Sequence, residues 1–326
     1  VLESYRERKS RELALKYAEN PSDPNIEKLI KELESIREVG ATTDEQTTYE
    51  VLQEIADDIL SPEKHEEGYK TGFTDLDKIL GGIQKGDLVI IAARPSVGKT
   101  AFALNIGNGH CANGGTTHLF SLEMSTKKLL QRMISAEGNV DGQKWRTMSF
   151  SRKDYDNAFE AIDTLTEHDL HIHDDKNTLN QIKSTIRQSV TGKDLVIIDY
   201  LGLIRTSGRY ERRDLEVGAI TRELKLLATE LNIPIILLSQ LSRGVEQRQD
   251  KRPMMSDLRE SGNVEQDADV IGFLYRDDYY DSESEKQNII EIIISKQRNG
   301  PVGTVELAFL KEYGKFMNLD RRYLSG

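Results

Sequence analysis

From residue 71 onward the chain alternates two hydrophobic rhythms. Short, mostly apolar runs at 87–92, 117–122, 171–173, 195–198 and 235–238 are of strand length and read as strands buried on both faces. Between them, apolar positions recur at helical period over 100–113, 125–137, 151–167, 179–190 and 215–231. This alternation predicts an α/β fold with a mostly parallel central sheet and helices on both faces, ligands gathering at the carboxyl ends of the strands. The last third changes character. Runs at 270–275, 289–294, 304–309 and 315–319 are joined by short connections and predict antiparallel or mixed hairpins that extend the same sheet.

The first 70 residues follow a different pattern. Residues 1–20 are rich in Glu, Lys, Arg, Leu and Ala, Pro21-Ser22-Asp23-Pro24 interrupts them, and Ile26, Leu29, Ile30, Leu33, Ile36 and Val39 then return at helical spacing. A helical hairpin with one apolar stripe buries too little to stand alone, so residues 1–40 are expected to be the remnant of a larger helical domain. Residues 41–70 are expected to form a linker. Within it Val51, Leu52, Ile55, Ile59 and Leu60 mark a short helix, either folded back on its own domain or docked on a neighbouring copy.

Composition narrows the class. A length of 326 residues suits one large core with a smaller appendage, and Val1 in place of Met leads us to expect a fragment. No apolar run approaches the roughly 20 residues that span a bilayer, and the first eleven residues are too charged for a signal peptide. One cysteine, Cys111, allows no internal disulfide. A soluble, cytoplasmic protein without a membrane partner is the expectation. The net charge of −11 argues against a surface uniformly suited to nucleic acid, so any such contact must be local.

The chemistry begins at Ala93-Arg94-Pro95-Ser96-Val97-Gly98-Lys99-Thr100, set between a strand and a helix. Such a loop surrounds a β-phosphate with backbone N–H groups, its lysine reaches the β- and γ-phosphates and its threonine hydroxyl ligates Mg²⁺. Residues 94–100 are therefore the candidate nucleotide contacts, although Ala93 stands where the general motif has glycine. The strand 195–198 ends in Asp199, placed to assist the metal beside Thr100. Ser121-Leu122-Glu123-Met124 ends another strand, and Glu123 there can orient and deprotonate a water; otherwise it complements the following helix dipole. Gln240, at the end of 235–240, can sense a γ-phosphate through its amide.

Cations gather in two segments that follow strand ends: Arg205, Arg209, Arg212 and Arg213, then Arg243, Arg248, Lys251, Arg252 and Arg259. They suit a phosphodiester backbone, and with Tyr210 the one aromatic nearby, grip without sequence preference is expected. Lys296 and Arg298 leave a strand on one face, as a finger reaching another subunit's phosphates would; otherwise they mark an exposed hairpin tip. His168, His171 and His173 with Asp174 and Asp175 raise a metal site, but the spacing advertises no convergent tetrahedral set. Trp145, the one tryptophan, reads as a core or interface residue.

Several strings together resemble the hexameric replicative helicases of the DnaB family: Thr71-Gly72-Phe73-Thr74-Asp75-Leu76-Asp77, residues 92–100, 121–124, 195–200, 238–248 and 253–269, and 296–303. Met254-Met255-Ser256-Asp257-Leu258-Arg259-Glu260-Ser261-Gly262 is the family's own among phosphate-loop proteins, and Ala93 is likewise what its members carry. The resemblance implies a RecA-like core over 71–326, a homo-hexameric ring, ATP and Mg²⁺, and 5′ to 3′ movement on single-stranded DNA at replication forks. It further implies Glu123 as catalytic base, Gln240 as γ-phosphate sensor, Arg132 near the nucleotide, and Lys296 with Arg298 at the neighbouring subunit's ATP. Arg259-Glu260-Ser261-Gly262 would line the central channel beside the 205–213 loop. A helicase loader and primase are further implied partners, the N-terminal remnant would belong to the family's collar, and both bacterial and phage sources fit the resemblance. Two rival readings share the core: a RecA-like recombinase or clock-type ATPase, and a non-catalytic module that uses ATP only for assembly on DNA.

Overall fold

The computed structural model describes residues 2–22, 47–60 and 68–319, except 207, 209, 259 and 260, together with 25, 26, 28, 29, 32, 33 and 36. The chain divides into two compact units, Val1–Glu66 and Glu67–Gly326. The first holds α1 (Leu2–Glu19) and α2 (Thr48–Leu60). α2 begins in a local cap, in which the Thr47 N–H and hydroxyl donate to the Glu50 carboxylate and the Glu50 N–H donates to Thr47 Oγ1. Its Leu52, Ile55, Ile59 and Leu60 are exposed. The second expected helix, at 26–39, falls mostly outside the described residues.

The larger unit opens with α3 (Thr74–Leu80), which the sequence pattern did not predict because it is barely two turns long. Asp77 fixes its approach by accepting from the Thr71 N–H and hydroxyl at 2.8 and 2.7 Å. β1 (Leu88–Ala93), α4 (Lys99–Ala112), β2 (Thr116–Ser121), α5 (Thr126–Gly138), α6 (Lys144–Thr147), α7 (Arg152–Thr166), β3 (Leu170–His173), α8 (Leu179–Ser189) and β4 (Asp194–Asp199) follow. Then come α9 (Arg213–Leu231), β5 (Ile235–Gln240), α10 (Ser261–Asp267), β6 (Val270–Tyr275), α11 (Asp277–Tyr280), β7 (Ile289–Gln297), β8 (Gly303–Leu310) and β9 (Lys315–Asn318).

The described strands form one sheet of nine, ordered β3-β2-β4-β5-β1-β6-β7-β8-β9. β3 through β6 in that order are parallel, and β7, β8 and β9 add antiparallel. Every residue of β1, β2, β4 and β6 is buried, as expected for strands covered on both faces. Alternate side chains of these strands feed two separate cores. One joins Val89, Ile91, Leu195 and Ile197 to Phe102, Leu129, Phe309 and Phe316, and the other joins Ile90, Ile198 and Leu237 to Ile182, Ile220 and Leu224.

Local signals mark the helix ends. Ser151 and Thr178 open α7 and α8 with capping boxes closed by Asp154 and Gln181, and Asn232 in left-handed conformation ends α9 before β5. Among the described residues no helix is long and apolar enough to cross a membrane.

Candidate active site

β1 ends inside the core and the chain must turn at once into α4, so five residues make the whole loop. Val97, 1% exposed, anchors it from below, while Ser96 and Gly98 take left-handed φ angles of 65° and 126°. Gly98 has no alternative: a Cβ there would lie 3.3 Å from two ring carbons of Phe309 in a backbone conformation that L side chains avoid. The result is a helix N-terminus whose first amides face an open cleft of about 940 Å³.

Three polar side chains meet at the mouth. Thr100 Oγ1 donates to Asp199 Oδ2 at 2.6 Å, and Lys99 Nζ stands 3.5 Å from Asp199 Oδ1 and 4.4 Å from the centre of the Tyr200 ring. Asp199 is 2% exposed, yet its Oδ1 accepts no hydrogen bond. Its cationic neighbour there is the Lys99 ammonium at 3.5 Å, and an arriving metal cation would complete the coordination of this buried oxygen. Burial pulls the Lys99 ammonium below its ordinary value, and the Asp199 and Glu123 carboxylates oppose that pull. Glu123 itself is exposed on the turn after β2. That turn is rigid, because Ser121 Oγ donates to the Met124 carbonyl and Leu122 N donates to the Asp199 carbonyl at 2.7 and 2.8 Å.

Gln240 is the register partner of Ala93 and lines the same cleft, as do Arg132, Pro95 and Ser96. Arg94 differs from the simple expectation. Its guanidinium is buried against Glu246 and the Leu241 carbonyl, so its backbone and not its charge is what the loop presents to a phosphate. Sequence reasoning missed Tyr200 and the β8–β9 turn, where Lys311, Tyr313 and Lys315 form a far wall of the cleft. Tyr200 follows Asp199 directly, which is the signal that was available. Trp145 also lines the cleft, its Nε1 donating to Ser135 Oγ at 2.7 Å.

The two basic segments do leave the carboxyl edge of the sheet, after β4 and β5, but most of their charge is engaged internally. Arg212 pairs with Asp214, Arg213 with Glu216 and the Gly202 carbonyl, Arg248 with Asp257, and Arg252 with Glu291. Lys251 lies 5.1 Å from the Tyr280 ring centre, and Arg205 is exposed. The acids that pair with these arginines come from the first turn of α9 (Asp214 and Glu216), from Asp257 and from Glu291 on β7. Arg209, Arg259 and Glu260 lie outside the described residues, while Ser261 and Gly262 begin α10.

Lys296 and Arg298 sit at the opposite edge of the parallel sheet. β7 runs antiparallel to β6, so its last residues arrive at the amino edge of the parallel strands. There Lys296 Nζ donates to the Glu265 and Ala268 carbonyls at 2.5 Å, and Arg298 reaches the Gln266 carbonyl at 2.7 Å and Asp269 Oδ1 at 3.1 Å. They are part of no hydrolysis site within their own copy.

The histidines form a column, not a metal cage. His118 stacks on His171 and His173 with centroids 5.0 and 6.1 Å apart, and near-parallel rings cannot converge their nitrogens on one ion. His168 is bound separately to Asn108, and among the described residues no group of His, Cys, Asp or Glu is arranged to hold a metal ion.

Comparison with known proteins identifies the family. Residues 68–318 match the family model described as the DnaB-like helicase C terminal domain. The chain is 50% identical over 313 residues to the replicative DNA helicase DnaC of Bacillus subtilis, covering 92% of this chain and 69% of that protein. To the replicative DNA helicase DnaB of Geobacillus stearothermophilus it is 54% identical over 261 residues, covering 78% of this chain and 58% of the relative. A solved DnaB-like replicative helicase, described with its interactions with primase, superposes with a TM-score of 0.85 at 43% identity, over 98% of this chain and 77% of that one.

Proposed function

The chain belongs to the DnaB-like replicative DNA helicases, and from that premise we propose that it is an ATP-driven motor travelling 5′ to 3′ along one DNA strand while excluding the other. The observation that carries this reading is the buried Asp199 carboxylate, with Oδ2 on Thr100 and Oδ1 within 3.5 Å of the Lys99 ammonium but outside hydrogen-bond geometry, a place prepared for a cation and a triphosphate. The backbone of 94–98 and the α4 N-terminus cradle the phosphates, and Lys99 neutralises the β- and γ-phosphate charge. Thr100 and Asp199 would hold Mg²⁺, which supplies further neutralisation at the phosphate oxygens. Glu123 orients the attacking water and takes its proton, and Gln240 reads whether the γ-phosphate is present.

Lys296 and Arg298 act in trans in this reading, which their position at the amino edge supports. The γ-phosphate is then shared by Lys99 of one copy and Arg298 of the next, in a ring of six, and its loss loosens that seam. The 205–213 loop and residues 259–262 follow the seam and carry single-stranded DNA, held by backbone phosphates without reading sequence. Residues 1–40 correspond to the end of the family's collar and 41–70 to its linker, whose helix docks on a neighbouring copy. A loader and a primase are further partners, and the bacterial cytoplasm is the working compartment. The recombinase reading rests on the fold alone: the solved RadB recombinase superposes with a TM-score of 0.50 at only 17% identity.

A fork-unwinding assay with each single-stranded tail blocked in turn tests the proposal. Blocking the 5′ tail should abolish strand separation and blocking the 3′ tail should leave it; ATP turnover stimulated by DNA with no unwinding from either tail would overturn it.

A further inference from the structure

Arg94 is a buried charge within the phosphate loop, 8% exposed, whose side chain is directed to a different segment of the chain. Its Nε donates to Glu246 Oε1 at 2.8 Å and its Nη1 to the Leu241 carbonyl at 2.9 Å. Planar guanidinium donors fix direction as well as distance, so the contact behaves as a strut. Both acceptors follow Gln240. The Leu241 N–H also donates to the Ala93 carbonyl at 3.1 Å, which clips the start of the loop to the same residue.

On its other side Leu241 forms an antiparallel bridge with Leu258, and Ser242 N donates to the Asp257 carbonyl at 2.8 Å. The Asp257 carboxylate, itself buried, receives Arg248 through Nη2 at 2.8 Å and Met254 N at 2.8 Å. Leu241, Val245 and Leu258 are all 2% exposed or less. A continuous path of hydrogen bonds and packed side chains therefore runs from Arg94 to Leu258, the residue immediately before 259–262.

The two ends of the strut are unequal. The Arg94 charge is permanent and buried, so leaving it without a carboxylate is costly, whereas the Glu246 side chain is 39% exposed. Residue 94 therefore does not shift unless 241–246 shifts with it, and Leu241 carries Leu258. We propose that Arg94 and Glu246 are positioning residues that couple triphosphate in the loop to the grip on DNA beyond Leu258. The inference rests on the reading above, that the loop binds ATP and that 259–262 meet the single strand. Neither side chain touches the reacting atoms; the pair transmits a displacement.

Coupling of this kind is reciprocal and typically changes affinity about 5- to 150-fold. The test measures binding of a fluorescent oligothymidylate with and without a non-hydrolysable ATP analogue, and of the analogue with and without the oligomer. In Glu246→Gln, each ligand measured alone should bind within about threefold of the unsubstituted protein, and the coupling factor should fall to within about twofold of one. Glu246→Asp, which keeps the charge, should restore part of it. A merely structural pair would change both single affinities and leave the factor intact, and that result, or an unchanged factor with unchanged affinities, overturns the inference. Should Glu246→Gln fail to fold, Asp257→Asn breaks the next link with Arg94 still paired, and retention of the full factor there is equally fatal. Absence of DNA binding or of coupling in the unsubstituted protein would instead sink the functional reading itself.

Discussion

The two edges of the parallel sheet treat buried carboxylates in opposite ways. At the carboxyl edge Asp199 has one oxygen on Thr100 and the other with no hydrogen bond, only the Lys99 ammonium at 3.5 Å. At the amino edge Asp269, 4% exposed, is saturated: Oδ2 accepts from Leu88 N at 2.8 Å and Lys225 at 2.6 Å, and Oδ1 meets Arg298 at 3.1 Å. One edge is incomplete in the isolated chain and the other is closed. An incomplete polar cluster destabilises the fold and favours a ligand, while a complete one stabilises the fold and positions what it holds. Arg298 belongs to the second kind, held by Asp269 on one side with nearly half of its side chain in solvent.

The sharpest way to break this contrast is to remove the group that would join the two edges of adjacent copies. Arg298→Ala should lower ATP turnover of a uniform assembly by about 10³ to 10⁵ with nucleotide binding retained. Mixing it with Lys99→Ala protein should restore part of the rate, since some seams then contain both intact residues. No recovery in such mixtures would place Arg298 outside the neighbouring site.

Asp269→Asn attacks the closed edge. It leaves Lys225 and Arg298 without their carboxylate and should lower unfolding stability by about 2–4 kcal/mol, read by chemical denaturation. A change below about 0.5 kcal/mol would mean that the edge is held by packing alone.

Asp87 offers the smallest and finest test. Burial, then the neighbouring Asp269 carboxylate, pushes its carboxyl up to about 6 from an ordinary 3.8. Between those values the folded chain binds more protons than the unfolded one, so this group's contribution weakens as pH rises from about 4 to about 6. Asp87→Asn should flatten that fall and raise Tm at pH 7 by roughly 1–3 °C, a figure reduced for partial exposure. An unaltered pH profile of Tm would show that Asp87 is solvated like any surface acid.

The sequence pattern located the elements well where burial on both faces leaves continuous apolar runs: all nine strands lie within three residues of their expected limits. It missed α3, α6, α10 and α11, which span four to seven residues and give too few turns for a periodic signal. The loop, Asp199 and Gln240 were legible because strand ends place them together in any parallel sheet. Pairing was not. Arg252 meets Glu291 from 39 positions away and Arg94 meets Glu246 across 152, distances at which spacing carries no information. A run of arginines therefore reads as free charge until the fold supplies its partners.

β7 reverses direction and so carries Arg298, which we propose to act on a neighbouring copy, to the far rim of the sheet. Socket and plug thus lie on opposite sides of a single body. Two copies joined this way leave an empty socket at one extremity and an idle plug at the other, and adding a third merely relocates the vacancy. On the proposed reading only a closed circuit would use every site, and catalysis at full strength would itself be a reward for completing the circle.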